Sequence, residues 1–142
     1  MNGAEIRFSV DGAPFGWQRN GYNQSTNRIY KKAETREHQE AVAWAYRRAC
    51  GAFSFPRGAC IAMVVLAYMP IPKSASEKKK QAMLEGKIRP TVKPDWDNIG
   101  KLIADALNGI AFDDDKSIVD GRVIKLYGEK PHVEILLKEV GL

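Results

Sequence analysis

The sequence predicts a single α+β domain, in which a small mixed β-sheet is packed against α-helices. Its 142 residues are enough for one ordinary domain, which buries about two-thirds of the surface of its unfolded chain. Segments with the apolar patterns of β-strands alternate with segments that repeat apolar residues at helical spacing. Hydrophobic residues make up 44% and charged residues 27% of the chain, which is typical of a folded globular protein and excludes disorder and coiled coils. We therefore treat residues 1–142 as one domain.

The chain begins with a predicted strand and a long polar loop. Ile6–Val10 alternates apolar and polar residues and ends at a turn signal, which predicts a half-buried strand. Residues 12–32 are rich in glycine, asparagine and glutamine, interleaved with aromatic and cationic residues, and predict a long loop or a loop with an embedded hairpin. Such a mixture suits nucleotide stacking and phosphate contact. Alternatively, Trp17 only pins this loop to its own domain.

Two helices and one strand are predicted in the middle of the chain. Residues 33–49 repeat apolar residues at helical spacing, which predicts an amphipathic helix. The run Cys60–Tyr68 is apolar without interruption, as expected for a central strand that is buried on both faces. Ser74 and Glu77 have the spacing of a capping box, so a second helix is predicted from there to about Glu85.

A third helix and two more strands are predicted in the carboxyl-terminal half. The helix begins near Asp95 and presents an apolar stripe formed by Ile99, Leu102, Ile103, Ala106, Leu107 and Ile110. A short connection with three adjacent aspartates, 113–115, follows it. The segments 117–127 and 132–138 are rich in β-forming residues and predict an antiparallel hairpin, with Gly121 marking a bulge.

Membrane, secreted and zinc-binding classes are excluded by composition and spacing. The longest apolar run, Ile61–Met69, is about half of the length that a membrane span needs. The amino terminus lacks the apolar region of a signal peptide, so we expect a cytoplasmic protein without a membrane partner. Two cysteines and two histidines are scattered along the chain and do not have the spacing of zinc ligands.

The charges are divided into a basic and an acidic region. Residues 51–93 contain eight lysines and arginines against two acids, whereas residues 94–120 contain two against seven. A basic surface attracts polyanions by releasing their counterions, and an acidic region repels phosphate unless a cation lies between them. A phosphate substrate with a divalent metal explains both regions, because the basic region would attract the phosphate and the acidic region would bind the metal. Alternatively, the basic residues only form a hydrated, charged surface and bind no partner.

Acidic residues gather at both ends of the third predicted helix. Asp95 and Asp97 lie in its first turn, where the helix dipole favours them, and either of them alone is explained by capping. Lys101 and Asp105 follow Asp97 at intervals of four residues on the outward face, which is also the spacing of ion pairs. The triplet 113–115 repels itself unless solvent or a cation neutralises it, and carboxylate oxygens are preferred ligands of Mg²⁺ and Mn²⁺. A helix of about 11 residues separates its ends by roughly 16 Å, so only the tertiary fold can bring these groups together.

An ordered set of motifs runs through the carboxyl-terminal half of the chain. They are Lys93–Asn98, Lys101, Asp105–Gly109, Asp114 and Asp115 with Ile118 and Val119, and Lys125–Gly128. This set resembles the RusA family of Holliday-junction resolvases, which are metal-dependent endodeoxyribonucleases common in phages and prophages. Weaker likeness at residues 30–36 and 86–90 extends the resemblance over essentially the whole chain. Trp96 departs from the family's usual aliphatic residue, and either packs or stacks near DNA.

The resemblance implies an active site and an assembly. Asp95, Asp97 and Asp115 take the positions of the family's metal-binding catalytic aspartates, and Lys101 takes the position of its catalytic lysine. Asp114 is the main rival for the third metal position. The resemblance further implies Mg²⁺, or Mn²⁺ in its place, and a homodimer whose two sites nick a four-way DNA junction symmetrically during recombination and repair.

Basic side chains in the segments 17–32 and 73–93 are expected to hold DNA phosphates, which positions the junction without reading its bases. They are Arg19, Lys31, Lys32, Lys73, Lys78, Lys79, Lys80, Lys87, Arg89 and Lys93. Two other function classes stay open. A junction-binding module without catalytic activity does not need three aspartates together, and a metal-dependent phosphohydrolase of small substrates has little use for so many cations.

Overall fold

The computed structural model describes residues 3–141, which form a four-stranded mixed sheet, a separate two-stranded hairpin and three α-helices. The strands are β1 (Glu5–Asp11), β2 (Gly21–Asn23), β3 (Arg28–Tyr30), β4 (Ile61–Pro70), β5 (Ile118–Gly128) and β6 (His132–Glu139). The helices are α1 (Ala33–Cys50), α2 (Glu77–Leu84) and α3 (Trp96–Leu107), with a short 3₁₀ turn at Asp115–Ser117. The predicted α+β class, a mixed sheet with packed helices, is confirmed. Among the residues described, no helix has the length and apolarity to cross a membrane.

β4 is an interior strand of the sheet, whose strand order is β1-β6-β4-β5. It pairs antiparallel with β6 and parallel with β5, so both of its edges are hydrogen-bonded. Alternate residues from Ile61 to Met69 are buried on one face, and those between them are half-buried. The central strand predicted for residues 60–68 is confirmed as β4, but the predicted burial on both faces is wrong, because the second face is only half-buried. A hairpin inside the loop 12–32 is also confirmed, where β2 pairs with β3.

The predicted hairpin of residues 117–127 and 132–138 is wrong. β5 pairs with β4, whereas β6 lies on the other side of β4 and also pairs with β1. The connection 129–131 therefore passes over the end of β4 and spans two inter-strand distances of about 4.8 Å each. β4 takes the interior position because a long apolar strand satisfies its backbone groups only when both of its edges are paired. The bulge predicted at Gly121 lies instead at Val119, where the pairing of β4 with β5 shifts by one residue.

α1 and α3 pack against each other. In addition, α1 packs against β1, and α3 packs against β5. The apolar stripe predicted for α3 is buried from Ile99 to Leu107, and these two residues have no exposed surface. Ile110, which is predicted to continue the stripe, lies beyond the end of the helix and is half-buried. Burying one such side chain stabilises a fold by about 1.5–3 kcal/mol. α3 is therefore anchored by its inward face, and its opposite face is a firm support for polar side chains. The helix predicted for residues 33–49 is confirmed as α1, which ends at Cys50.

α2 begins later than predicted. Its cap is Ser76, whose Oγ accepts a hydrogen bond from the Lys79 backbone N–H at 3.2 Å, and not Ser74. The reason is a turn before the helix, in which the Ala75 N–H donates to the Pro72 carbonyl at 3.1 Å and keeps Ser74 outside the helix. α2 packs beside β5, so this lysine-rich helix borders an edge strand of the sheet.

Candidate functional site

The exposed face of α3 displays a row of charged side chains. Its apolar stripe turns positions 97, 101 and 105 outward, and Asp95 precedes them at the cap of the helix. Asp95, Asp97 and Lys101 are exposed, whereas Asp105 is half-buried. We call the first three residues the amino-terminal cluster. Their side chains lie on the face that the spacing predicts.

Asp95 occupies the N-cap position of α3, but its side chain makes no capping hydrogen bond. Its backbone carbonyl accepts a hydrogen bond from the Ile99 N–H at 3.1 Å. The residue borders a cleft of about 420 Å³ between α3 and the loop Pro14–Gln18. Side-chain capping therefore does not engage Asp95, and its carboxylate is left available. The neighbouring Trp96 is 61% exposed, which argues against a packing role for this ring.

Lys101 lies over an aromatic ring. Its Nζ is 3.7 Å from the centroid of the Trp17 ring, well within the range of a cation–π contact. In the part of the chain that the structure describes, neither Asp97 nor Asp105 is within ion-pair distance of Lys101. The backbone N–H of Trp17 donates a hydrogen bond to the Asn98 backbone carbonyl at 2.8 Å. Trp17 therefore pins the loop to α3 and also supports the candidate catalytic lysine.

The three aspartates after α3 have different surroundings. Asp113 lies 3.4 Å from Arg57 in an exposed ion pair. The hydrogen-bonding interaction between the side chains of Asp114 and Asp115 holds the pKa of Asp114 below its usual range and the pKa of Asp115 above it. Desolvation and the charges of Asp114 and Asp105 raise the pKa of Asp115 further. Asp105, Asp114 and Asp115 form a second group, which we call the carboxyl-terminal cluster.

A buried glutamine of α1 holds the first member of this second group. Gln39 is 7% exposed, and its Nε2 donates to Asp105 Oδ2 at 3.3 Å and to the Leu102 carbonyl at 3.4 Å. Its Oε1 accepts a hydrogen bond from Lys31 Nζ at 2.6 Å. On the other side, Asn108 Nδ2 donates to Asp105 Oδ1 at 3.5 Å. Sequence reasoning does not identify Gln39, and the one signal available is a polar residue on the buried stripe of α1.

The donor chemistry of the carboxyl-terminal cluster fits a hard divalent cation. Its groups are all oxygen donors, and a cation beside Asp114 and Asp115 would relieve the repulsion between these two neighbouring carboxylates. The buried Oδ1 of Asn108 has no hydrogen-bond partner within residues 3–141, and an amide oxygen is a further ligand for such an ion. In the same residues, no three histidine, cysteine, aspartate or glutamate side chains lie close enough together to hold one ion. This applies to Asp95 and Asp97 with Asp115, and also to Asp105 with Asp114 and Asp115.

The predicted DNA-contacting cations differ in their surroundings. Arg89 Nε donates to the Lys125 carbonyl at 2.9 Å, Lys87 Nζ is 2.9 Å from Glu85, and Lys31 is bound to α1. The remaining seven are exposed or half-buried and form no ion pair within residues 3–141: Arg19, Lys32, Lys73, Lys78, Lys79, Lys80 and Lys93. These seven are the cations best placed to receive phosphates.

Two comparisons with known proteins bear on this face of α3. A family model described as "Endodeoxyribonuclease RusA" matches residues 11–138, a range that includes both clusters and all the basic candidates. A protein of Bacillus subtilis (strain 168), "Uncharacterized protein YqaN", is 46% identical to this chain over 82 residues. The match covers 56% of this chain and 58% of that protein, so the chain spans a little over half of the length of this relative.

Proposed function

Because this chain belongs to the RusA family of endodeoxyribonucleases, we propose that it resolves four-way DNA junctions by paired, symmetric nicks in recombination and repair. The observation that carries the proposal is the outward face of α3 with the connection that follows it, where two groups of carboxylates and one exposed lysine lie. Phosphodiester hydrolysis requires an activated water and positive charge near the phosphoryl oxygens. Carboxylates suited to a metal ion and a lysine suited to a phosphate supply both requirements.

Mg²⁺, with Mn²⁺ in its place, is the proposed cofactor. Asp95, Asp97 and Asp115 would hold it, with Asp114 as the alternative third ligand. When bound, such an ion polarises a phosphoryl oxygen and lowers the pKa of its water. The exposed carboxylates of Asp95 and Asp97 and the raised pKa of Asp115 beside Asp114 support this assignment.

Lys101 is the proposed catalytic lysine. Its ammonium is held by an aromatic ring, so its positive charge is available to the phosphoryl oxygens at which negative charge develops. A preorganised cation of this kind stabilises the transition state without a rearrangement during the reaction.

The junction is proposed to be held by cations on two segments that border α3. The loop between β1 and α1 contacts α3 at Trp17, and α2 packs beside β5. Both segments carry exposed lysines or arginines, which would contact phosphates and not bases. A homodimer with two-fold symmetry would present two such sites to a junction that has the same symmetry.

A junction-binding module without cleavage activity is the second candidate. It is favoured by the separation of the two clusters, since Asp95 and Asp105 are ten residues apart, or about 15 Å along a helix. It is favoured also by the lack of three converging metal ligands within residues 3–141. Both candidates use the same basic surface and differ only in chemistry.

A cleavage assay separates these candidates. The substrates are a four-way junction and a linear duplex of matched sequence, each with Mg²⁺ and with EDTA. We expect paired symmetric nicks only on the junction and only with the metal. Asp97→Asn should lower cleavage by at least about 10²-fold and retain or tighten junction binding, because the loss of a carboxylate reduces repulsion of phosphate. Asp11→Asn, which alters an exposed carboxylate at the end of β1, is the matched control.

Each other outcome has a definite meaning. Binding of the junction without any cut by the wild type favours the binding module. Equal cutting of junction and duplex indicates a general nuclease, and cutting in EDTA contradicts the proposed cofactor. Loss of binding by Asp97→Asn with an intact fold contradicts the role of Asp97 as a group that repels phosphate.

A further inference from the structure

The ammonium of Lys101 is held without being neutralised. Asp97 and Asp105 lie four residues before and after it, which is the spacing of helical ion pairs, yet its Nζ lies over the Trp17 ring. A lysine in an ion pair must exchange a carboxylate for the phosphate when substrate arrives. An aromatic face attracts the ammonium through the quadrupole of its ring, and the full positive charge remains for an incoming anion.

Trp17 is fixed by the contacts of the two residues before it and by its own backbone. A Cβ added to Gly16 would lie 2.9 Å from Pro94 Cβ and 3.1 Å from Asn98 Cβ, so only glycine allows the loop to approach α3 this closely. Phe15 stacks on His38 of α1, with ring centroids 3.9 Å apart and an angle of 6° between the rings. The backbone hydrogen bond of Trp17 to α3 completes this anchoring. The indole is therefore a fixed support and not a mobile loop side chain.

We propose that Trp17 is a positioning residue, which holds the Lys101 ammonium on the exposed face of α3, with its charge unneutralised, for a phosphodiester oxygen of the substrate. This inference rests on the proposed function, because it assigns Trp17 a part in the same reaction. It differs from a role of Trp17 in stacking on a DNA base. Stacking contributes to affinity, whereas positioning of Lys101 contributes to turnover.

The contact itself is tested first, without any activity. The Cε–Hε resonance of Lys101 is recorded by ¹H–¹³C NMR and assigned from its absence in Lys101→Ala. In the wild type we expect an upfield shift of this resonance, because the ring current of Trp17 acts on protons above the ring. Trp17→Leu should return it to the value of a solvated lysine, and Trp17→Phe should retain part of the shift.

Trp44→Leu is the matched control. Trp44 of α1 is 62% exposed and carries Arg48 over its ring at 5.3 Å, so it is a second cation–π pair outside the clusters. This variant should leave both the Lys101 resonance and junction cleavage unchanged.

Kinetics then test the role. Trp17→Leu should lower kcat for junction cleavage by about 10- to 100-fold, since a misplaced catalytic group costs about this much, with KM changed by less than about twofold. Trp17→Phe should recover most of the lost kcat. The fold of each variant is checked by circular dichroism and thermal unfolding, and Trp17→Phe keeps the test decisive if the leucine variant does not fold.

The outcomes distinguish this inference from the proposed function. No cleavage by the wild type overturns the proposed function, and the NMR shift still decides whether Trp17 holds Lys101. A wild-type Lys101 resonance at the value of a solvated lysine overturns the contact. An unchanged kcat in Trp17→Leu overturns the positioning role, and a raised KM with unchanged kcat assigns Trp17 to DNA stacking instead.

Discussion

The amino-terminal cluster lies in the first half of α3, whereas the carboxyl-terminal cluster lies in its last turn and in the connection that follows, and the two are held in opposite ways. In the first, Asp95 and Asp97 are exposed, and the only cation rests on an indole ring. In the second, Asp105 accepts hydrogen bonds from two amides, and the side chains of Asp114 and Asp115 shift each other's pKa in opposite directions. The first cluster is open to solvent around a fixed positive charge. The second is a set of fixed carboxylates.

The difference comes from what packs beside each half of α3. A close-packed loop borders the first half and supplies an aromatic surface. A buried glutamine of α1 and the acidic connection after the helix border the second half and supply hydrogen bonds. α3 and the connection after it thus carry the two kinds of group that the proposed function requires, a cation for phosphate and carboxylates for a metal ion.

The largest effect is expected from removing one carboxylate of the second cluster. Asp115→Asn should lower single-turnover cleavage of a four-way junction by about 10²–10³-fold. Asp113→Asn should change it by less than about twofold, because Asp113 lies in an exposed ion pair with Arg57 and such pairs contribute little. The reverse order of the two variants would assign the third metal position to Asp113 and not to Asp115.

The local elements of the fold are predictable from the sequence, because their periodicity is a local property. The apolar stripe of α3 predicts which face of the helix is buried and which is exposed. The unbroken apolar run of β4 predicts its interior position in the sheet. The pairing of β5 and β6 is not predictable in this way, since β4 lies between them and ends 48 residues before β5 and 62 residues before β6 begins. Short-range turn signals favour a hairpin that long-range pairing overrides.

The same division holds for the site. The row Asp97, Lys101 and Asp105 follows from intervals of four residues. The partners of that row do not, since Trp17 and Gln39 are 84 and 66 residues away from the side chains they hold. A lysine with two aspartates at helical spacing predicts an ion pair, and only the tertiary packing of the loop shows an aromatic ring in its place.

The second largest effect is expected from the cations of α2, in a variant that leaves both clusters intact. Joint replacement of Lys78, Lys79 and Lys80 by glutamate should weaken junction binding and flatten its dependence on salt. Each phosphate contact that is lost reduces the slope of log K against log salt by about 0.9. Lys130→Glu, in the connection between β5 and β6, is the control, and binding is measured by fluorescence anisotropy at several salt concentrations. An unchanged slope would show that α2 does not contact DNA.

A smaller effect is expected from Gln39→Leu, which loosens only the second cluster. The buried carbonyl of Leu102 and the carboxylate of Asp105 each lose a donor, so unfolding should become easier by about 1–3 kcal/mol. We expect cleavage to fall several-fold while the Lys101 resonance stays in place. Thr35→Val is the control, because Thr35 is fully buried one turn earlier and its hydroxyl has no partner within residues 3–141. Chemical denaturation measures both, and equal stability losses would contradict a specific role of Gln39.

The smallest effect is expected from Asp114→Asn and is measured as a shift in the pKa of Asp115. Without the neighbouring negative charge, the pKa of Asp115 should fall toward its ordinary value of 3.8, as measured by the NMR titration of its carboxyl carbon. Because the folded wild type holds this proton more tightly than the unfolded chain, the stability it contributes is present below pH 3.8 and is lost as the pH rises through the raised pKa. The lowered pKa of Asp114 acts in the opposite sense, at pH values below 3.8. Above pH 3.8, the variant should therefore lose less stability than the wild type as the pH rises. An Asp115 pKa that stays raised in the variant would show that burial, and not its partner, controls the second cluster.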